Sequence, residues 1–178
     1  MSTSGARTDP VLNHNFVVSL LDSTSSLSAT TPPSFAGILD SAAGGFSECT
    51  GLDLTLQPEE YKEGGNNGSV LKFASRASWS NIVLKRGITH SSALWDWHFS
   101  FVEGQGRRRD GVIVLLDGAR APVQTWYFRR GLPVKYSGPS LNATASSVAI
   151  EVIEIAHEGI HQVPGTGGGK PGVGGTAG

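Results

Sequence analysis

Apolar and polar residues alternate with a period of two in several short segments of the chain, as is typical of β-strands with one covered face. In the segment 46–57, Leu52, Leu54 and Leu56 share one face and polar residues share the other. The segment Asp110 to Asp117 has a continuous apolar centre, so we expect it to be buried on both faces. The other predicted strands are 15–21, 79–85 and 122–129.

The longest strand pattern lies in residues 148–157. Its apolar residues keep one phase up to Val152 and take the opposite phase from Ile153 to His157. A one-residue change of phase inside a strand indicates a β-bulge or a sharp bend, so we predict one here. A Pro-flanked loop that begins at Pro133 precedes this strand.

The segment 91–102 has the spacing of an amphipathic helix. The residues that recur on one side of it are Leu94, Trp97 or His98, and Phe101. Trp95 and Trp97 cannot both face the same core, so we expect one of them on a surface that contacts a partner. Together, these patterns predict a mainly β fold, an antiparallel sheet or barrel with one helix packed against it.

The chain of 178 residues is long enough for one domain with a substantial core. We assign residues 1–163 to this domain and treat 22–45, rich in Ser, Thr, Ala and Gly, as an inserted surface loop. Residues 164–178 contain eight glycines and almost no apolar residues, so we predict a flexible tail.

The charge balance argues against several classes of protein. Fourteen basic and fifteen acidic residues give a formal charge of -1, so no footprint for sequence-specific nucleic acid binding is expected. The apolar runs are too short to span a bilayer, and the first residues lack the apolar segment of a secretory signal. The single cysteine, Cys49, excludes an internal disulfide and a multi-cysteine zinc site, which fits a reducing cytoplasm.

Few residues suggest catalysis or metal binding. Cys49 and a histidine would be the nucleophile pair of a cysteine hydrolase, but no local signature surrounds Cys49, so a buried, inert thiol is favoured. His157 and His161 straddle Gly159 at a strand end, which disfavours a metal site. We therefore predict no enzyme activity, no cofactor and no metal.

The run Arg107 to Arg109 follows a glycine-containing turn but lacks the Lys-Ser/Thr and the strand–loop–helix context of a phosphate-binding loop. A solvated turn is favoured. The alternative is a basic spot that faces a lumen or a neighbouring subunit, where Glu59, Glu60 and Glu63 would form the matching acidic group.

A series of motifs over residues 14–160 resembles the inner tail-tube family of contractile phage tails and extracellular contractile injection systems. The motifs are FVVSL, FSECTGLDL, EEYKEGGNNG, NIVLKRGITHSSALWDWH, RRRDGVIVLLDG, WYFRRGLPVKYSGPSLNA and VAIEVIEIAHEGI. The resemblance implies two packed antiparallel sheets that form a β-barrel-like unit with one flanking helix. It also implies hexameric rings that stack into a tube inside a sheath, with DNA or protein cargo in the lumen and sheath and baseplate proteins as partners.

The same resemblance implies a set of assembly residues. A loop that contacts the adjacent ring is matched by Glu60, Tyr61, Gly64, Gly65, Asn66 and Asn67. The helix near subunit interfaces is matched by Leu94, Trp95 and Trp97. The loop before the last strand is matched by Pro133, Lys135, Gly138 and Pro139. The polar face of the last strand is matched by Glu151 and Glu154.

Two departures leave alternatives open. The loop 22–45 is longer than the hairpin usual in the family, and the Gly-rich tail is extra. A tube-initiating relative at the baseplate would accommodate both additions more easily. A monomeric β-barrel ligand-binding module is the alternative from another class, and it would need a pocket with convergent polar and aromatic groups. The resemblance implies assembly in the bacterial cytoplasm.

Removal of residues 164–178 tests the expected tail. Because the tail contributes almost no apolar area, the midpoint of thermal unfolding should not change when it is deleted. The measurement is circular dichroism during heating, with the full chain as control. A large loss of thermal stability would show that the tail docks on the domain.

Overall fold

Residues 12, 15–22, 45–61, 70–144 and 146–164 are described by the computed structural model of the protein. Within these residues there are nine strands and one α-helix. The strands are β1 (Phe16–Asp22), β2 (Glu48–Thr50), β3 (Leu54–Tyr61), β4 (Leu71–Trp79), β5 (Ile82–Gly87), β6 (Arg109–Leu116), β7 (Pro122–Ser137), β8 (Ile150–Ala156) and β9 (Ile160–Pro164). The helix α1 (Ala93–Val102) lies between β5 and β6.

Several predicted features lie outside the described residues. They include most of the loop 22–45, the tail beyond Pro164, and the four loop residues Gly64, Gly65, Asn66 and Asn67. Strand β9 extends to Pro164, the first residue assigned to the tail.

Seven strands form two antiparallel sheets that share β7. One sheet has the order β1-β6-β7-β9 and the other has the order β7-β8-β5-β2. The first part of β7, Gln124 to Phe128, pairs with β9, and its last part, Leu132 to Ser137, pairs with β8. The predicted fold class is confirmed: mainly β, two sheets, one helix. The barrel-like unit is open, because β1 and β2 are the two ends of the strand order in the described part of the chain.

The crossing of β7 between the sheets occurs at Arg130, whose φ is 52°. Asp110 Oδ1 accepts the Arg130 N–H at 2.7 Å and holds this bend. Next to it, Gly111 and Gly131 make room for the buried ring of Phe128, since an added Cβ would lie 2.1 Å and 2.8 Å from ring atoms. The sequence predicted that this strand would end at Arg129. This is wrong, because the chain stays hydrogen-bonded as a strand both before and after the bend at Arg130.

The region beginning at Pro133, predicted as a loop, is also strand. Pro133 lies opposite Ile155, and the register with β8 shifts before Lys135. The shift absorbs the proline, which has no N–H to donate to a sheet ladder. The structure therefore places the bulge on β7.

Strand β8 itself is regular. Its pairing with β5 runs without a shift from Ile155 opposite Ile82 to Ile150 opposite Gly87. The predicted bulge in this strand is therefore wrong. The buried face of β8 carries Glu151, Ile153 and Ile155, whereas Ile150 is exposed. Because a charged residue lies on the buried face and an apolar one on the exposed face, the apolar pattern of the sequence shows a change of phase that the backbone does not have.

The core lies between the two sheets and helix α1. Its buried apolar members are Val18, Phe46, Ile82, Leu84, Leu94, Trp97, Ile113, Phe128, Ile153, Ile155 and Ile160. Val112, Val114 and Leu116 on the opposite side of β6 form a second cluster with Val17, Leu21 and Tyr127. This confirms the prediction that β6 is buried on both faces.

A hydrogen-bonded ionic group lies within this core. The Arg86 Nε donates to Glu151 Oε1 at 2.5 Å, and the Tyr136 Oη donates to Glu151 Oε2 at 2.7 Å. Arg86 and Glu151 are only 3% and 5% exposed. Burial, together with the hydrogen bond to Glu151, raises the pKa of Tyr136 to about 12, so its hydroxyl stays protonated and donates.

Helix α1 packs on the core as the sequence predicted. Leu94 and Trp97 are buried, and the Trp97 indole donates to the Arg107 carbonyl at 2.9 Å. Trp95 is exposed; its ring stacks on Phe99 with centroids 5.6 Å apart. The two tryptophans therefore face opposite sides of the helix, one in the core and one on the surface.

The predicted strand 46–57 is interrupted. Gly51 has φ 88°, and an added Cβ would lie 1.9 Å from the Asn81 carbonyl oxygen, so the chain turns there and forms β2 and β3 separately. Likewise, Ser80 and Asn81 separate β4 from β5. The predicted strand 79–85 therefore begins at Ile82, three residues later than expected.

Strand β4 was missed, since the sequence pattern predicted no strand over residues 71–78.

Glu151→Ala tests the ionic group. The substitution leaves Arg86 buried without this carboxylate, so we expect a loss of about 3–5 kcal/mol in the free energy of unfolding. The matched control is Glu48→Ala, which removes a half-exposed pair with Lys85 and should cost about 1 kcal/mol or less. Urea unfolding measures both. Equal losses in the two variants would contradict a special role for Glu151.

Candidate assembly interface

Strands β3 and β4 form a hairpin that we call the arm (Leu54–Tyr61 and Leu71–Trp79). They pair with each other and with no other strand in the described part of the chain. Every residue of both strands is exposed. A two-stranded hairpin is at best marginally stable alone in water. The exposed arm is therefore a candidate contact surface.

The arm carries apolar side chains on both of its faces. The pairs Leu54 with Trp79 and Leu56 with Ala77 place a root patch of Leu54, Leu56 and Trp79 on one face. Between Leu56 and Pro58 the register shifts, with one extra residue on β4. Beyond the shift, the odd-numbered side chains of β4 lie on the opposite face, so a tip patch forms there.

The tip patch consists of Tyr61, Leu71 and Phe73. The rings of Tyr61 and Phe73 meet edge to face, with centroids 6.4 Å apart. Leu54 and Leu56 are each 56% exposed and Phe73 is 55% exposed. Clusters of exposed apolar side chains are typical of surfaces that interact with other molecules.

A third apolar surface lies on helix α1 and the neighbouring part of β7. Trp95 meets the edge of the Tyr136 ring at 5.2 Å and stacks on Phe99. Val102, on the same side of the helix as Trp95 and Phe99, is also exposed. We call this group the helix patch.

The structure places the predicted assembly residues in different environments. Those on the surface are Glu60 and Tyr61 in the arm, Trp95 in the helix patch, Lys135 at the end of β7 and Gly138 just after it. Those inside the subunit are Leu94, Trp97, Pro133 and Glu151. Pro139 and Glu154 are half-buried.

Two of these placements differ from the expected ones. Glu151 does not lie on a polar outer face, since it is buried against Arg86 and Tyr136. Glu154 lies on the other side of β8 and accepts a hydrogen bond from Asn81 Nδ2 at 2.7 Å. Residues three apart in a strand point to opposite faces, so the two carboxylates cannot share one surface.

The basic run after the helix is held mostly by ionic contacts within the subunit. Glu158 Oε1 contacts Arg130 Nε at 2.9 Å and Arg108 Nη1 at 3.3 Å. Arg109 contacts Asp22 at 3.3 Å, and its guanidinium lies 5.2 Å from the Trp97 ring centroid. These contacts favour the solvated turn over a phosphate-binding loop.

Cys49 lies on β2 opposite Leu84. Burial raises its pKa to about 11, so it is a thiol and not a thiolate at neutral pH. It lines a cavity of about 270 Å³ whose other lining residues are Phe16, Ser47, Glu48, Leu52, Ile113, Leu115 and Trp126. The polar members of this otherwise mainly apolar lining are Ser47 and Glu48, and Glu48 accepts a hydrogen bond from Lys85 Nζ at 2.8 Å.

The two histidines considered as metal ligands have separate surroundings. His157 contacts the Ser80 carbonyl through Nε2 at 3.0 Å, whereas His161 is exposed on β9 opposite Tyr127. The described ranges contain no group of three or more His, Cys, Asp or Glu side chains that could hold a metal ion. In the same ranges, no helix is long and apolar enough to cross a membrane.

These features leave the apolar surfaces of the arm and of the helix patch exposed in the described part of the subunit. The sequence profile of the family described as T4-like virus tail tube protein gp19 matches residues 12–161. The protein belongs to this tail tube family. A comparison with curated proteins gives no match.

Solved structures share the fold. A chain of the anti-feeding prophage baseplate is 24% identical, with a TM-score of 0.73, and the match covers 89% of this protein and 98% of that chain. A chain of the PVC sheath-tube complex in its extended state is also 24% identical, with a TM-score of 0.71 and coverage of 92% and 99%. A crystal structure of an Hcp protein is 10% identical, with a TM-score of 0.51 and coverage of 86% and 95%.

Thiol labelling tests the environment of Cys49. A pKa raised from 9.0 to about 11 lowers the thiolate fraction about a hundredfold near neutral pH, so labelling by a thiol reagent should be slow and become fast in denaturant. Cys49→Ser is the blank and should change stability by about 1 kcal/mol or less. Fast labelling of the folded protein would contradict this description of the site.

Proposed function

We propose that the protein is a subunit of the inner tube of a contractile injection system or phage tail. In this proposal, subunits form hexameric rings that stack around a channel inside a sheath. Family membership and the shared fold support a tube role, and one of the similar structures is a sheath-tube complex. The observation that carries the proposal is the arm, whose apolar surface its own subunit leaves uncovered.

The two patches of the arm suit two neighbours. Because the root patch and the tip patch lie on opposite faces, one arm can pack between two other copies of the chain. Burying a Leu or Phe side chain contributes about 1.5–3 kcal/mol, so six such side chains per arm supply a substantial contact. The arm thereby links a subunit to more than one neighbour in a stack.

The sheet edges support ring closure. In the described part of the chain, β1, β2 and β9 end the two sheets and have a free side. Edge strands that remain exposed favour uncontrolled association, whereas pairing with a neighbour removes them. Head-to-tail contacts that close on rotation give a ring, and the similar baseplate structure is six-fold symmetrised.

The partners and location follow from this role. Sheath and baseplate proteins would contact the outside and the end of the tube, and cargo would pass through its lumen. Assembly would take place in the bacterial cytoplasm. The role is mechanical and needs no catalytic group, which fits the protonated thiol of Cys49. Residues 1–163 would form the tube domain, with 22–45 as an inserted loop and 164–178 as an appended tail.

A tube initiator at the baseplate is the second candidate. Baseplate, cap and sheath-tube chains all resemble this protein about equally, with identities of 24%, 21% and 24%. Fold likeness therefore does not separate a mid-tube subunit from an initiator. An initiator would meet different neighbours from a mid-tube subunit at one end of its ring. The assembled products of the two would therefore differ.

Negative-stain electron microscopy over a range of concentrations tests the proposal. Hollow tubes would support the main-tube role, and single rings that do not stack would favour the initiator. Particles that remain monomeric at every concentration, also when baseplate components are supplied, would contradict both roles and favour a binding module.

Substitutions in the arm test the surface that carries the proposal. Leu56→Ser in the root patch and Phe73→Ser in the tip patch should leave the monomer folded, because both side chains are exposed in the subunit. Each loss should weaken association about ten- to a hundredfold per contact. Arg76→Ser is the matched control, because Arg76 is an exposed polar residue in β4, the strand that contains Phe73. Microscopy and sedimentation velocity measure assembly, and unchanged tubes in both patch variants would contradict the assignment.

A further inference from the structure

The two ends of the arm connect it to the body of the subunit. Within the described residues, Gly51 to Asp53 lead into β3, and Ser80 and Asn81 lead from β4 into β5. The Ser80 N–H donates to the Asp53 carbonyl at 3.3 Å and ties the two ends together. A hairpin attached in this way takes its direction from the contacts at its base.

The side-chain contacts at this base come from one short stretch, residues 154–159, which we call the latch. Glu154 accepts a hydrogen bond from Asn81 Nδ2 at 2.7 Å, and His157 Nε2 lies 3.0 Å from the Ser80 carbonyl oxygen. The His157 ring also meets Trp79, the last residue of the arm, with centroids 6.3 Å apart. The latch therefore holds both residues through which the arm leaves the body.

The contacts of His157 require one protonation state. The Gly159 N–H donates to Nδ1 at 3.1 Å, so Nδ1 must carry a lone pair. The Ser80 carbonyl can only accept, so Nε2 must carry the proton. Only the neutral ring satisfies both contacts. A second proton on Nδ1 would point at the Gly159 N–H and break the turn that aims the ring at the arm.

We propose that His157 is a positioning residue that holds the base of the arm while neutral, and that its protonation releases the arm. This inference rests on the proposed function, because the arm is the surface that joins subunits. Assembly would then be favoured near neutral pH and weakened in acid.

The charged groups near the latch have partners other than His157. Glu154 is engaged by Asn81, and Glu158 is engaged by Arg108 and Arg130. From β7 the ring of Phe128 faces His157 with centroids 6.0 Å apart and brings no charge. His161, on β9, is exposed. Neither carboxylate of the latch therefore forms an ion pair with the His157 ring.

Burial of the ring lowers the pKa of His157 below its ordinary value of 6.5. Because the pKa of His157 is lower in the folded protein than in the unfolded chain, the folded, latched form is favoured above about pH 6.5. This stabilisation is lost as the pH falls through the pKa that His157 has in the folded protein. Release is therefore expected on the acid side of neutrality.

Distances measured between two spin labels on the monomer test the release without reference to assembly. We would place the labels at Lys72→Cys in the arm and Glu103→Cys after helix α1, in a Cys49→Ser background, and work below the concentration at which subunits associate. At about pH 7.5 the distance distribution should be narrow, and at about pH 5 it should broaden.

Three variants make the test specific. His157→Gln keeps a donor for the Ser80 carbonyl but cannot gain a charge, so its distribution should be narrow at both pH values. His157→Ala removes the latch and should give the broad distribution at both. His161→Gln changes an exposed histidine four residues away and should behave like the parent protein.

The outcomes separate this inference from the proposed function. A distribution that stays narrow in acid, or a broadening that persists in His157→Gln, would overturn the role of His157. If the labels report release but no variant ever forms rings or tubes, the latch stands and the tube role fails. If tubes form and the distance never changes, the tube role stands and the latch fails.

Discussion

The crossing of β7 at Arg130 is the constraint on which the rest of the subunit depends. One residue in the left-handed region, held by the Asp110 carboxylate, lets a single strand belong to both sheets. The two sheets are thereby fixed face to face, with Phe128 filling the space that Gly111 and Gly131 leave. The core and the helix that covers it take their positions from this strand.

The buried ionic group and the exposed arm both place side chains in an unfavourable environment, charges in the core and apolar groups in water. Arg86 and Glu151 would be costly inside the protein, and the subunit compensates internally through Tyr136 and close ion pairing. Leu56 and Phe73 are costly in water, and no described residue of the subunit covers them. The first arrangement satisfies buried charges within the subunit, and the second leaves apolar side chains exposed at its surface.

The sequence predicted the elements whose pattern reflects contacts within the chain. Strand β6 has a continuous apolar run because both its faces are covered, and Trp95 and Trp97 divide between surface and core as helical geometry demands. Two of the predictions that failed show how such patterns mislead. Glu151 occupies a core position because it is paired with Arg86, so its polarity wrongly indicated that it faces outward from β8. Leu54 and Leu56 alternate with polar residues like a strand with one covered face, but no described residue of the subunit covers that face.

In the proposed tube role, the register shift in β4 would have a kinetic consequence. Because it turns the apolar side chains of the arm from one face to the other, an arriving subunit would gain its full contact only where two neighbours already stand. The first few subunits would lack such a place, so nucleation would be slow relative to growth. Once a template exists, each addition would create the next complete site, and growth would proceed from that end. A subunit with this hairpin would therefore start a tube where a preformed platform directs it, and free rings would stay rare in the surrounding solution.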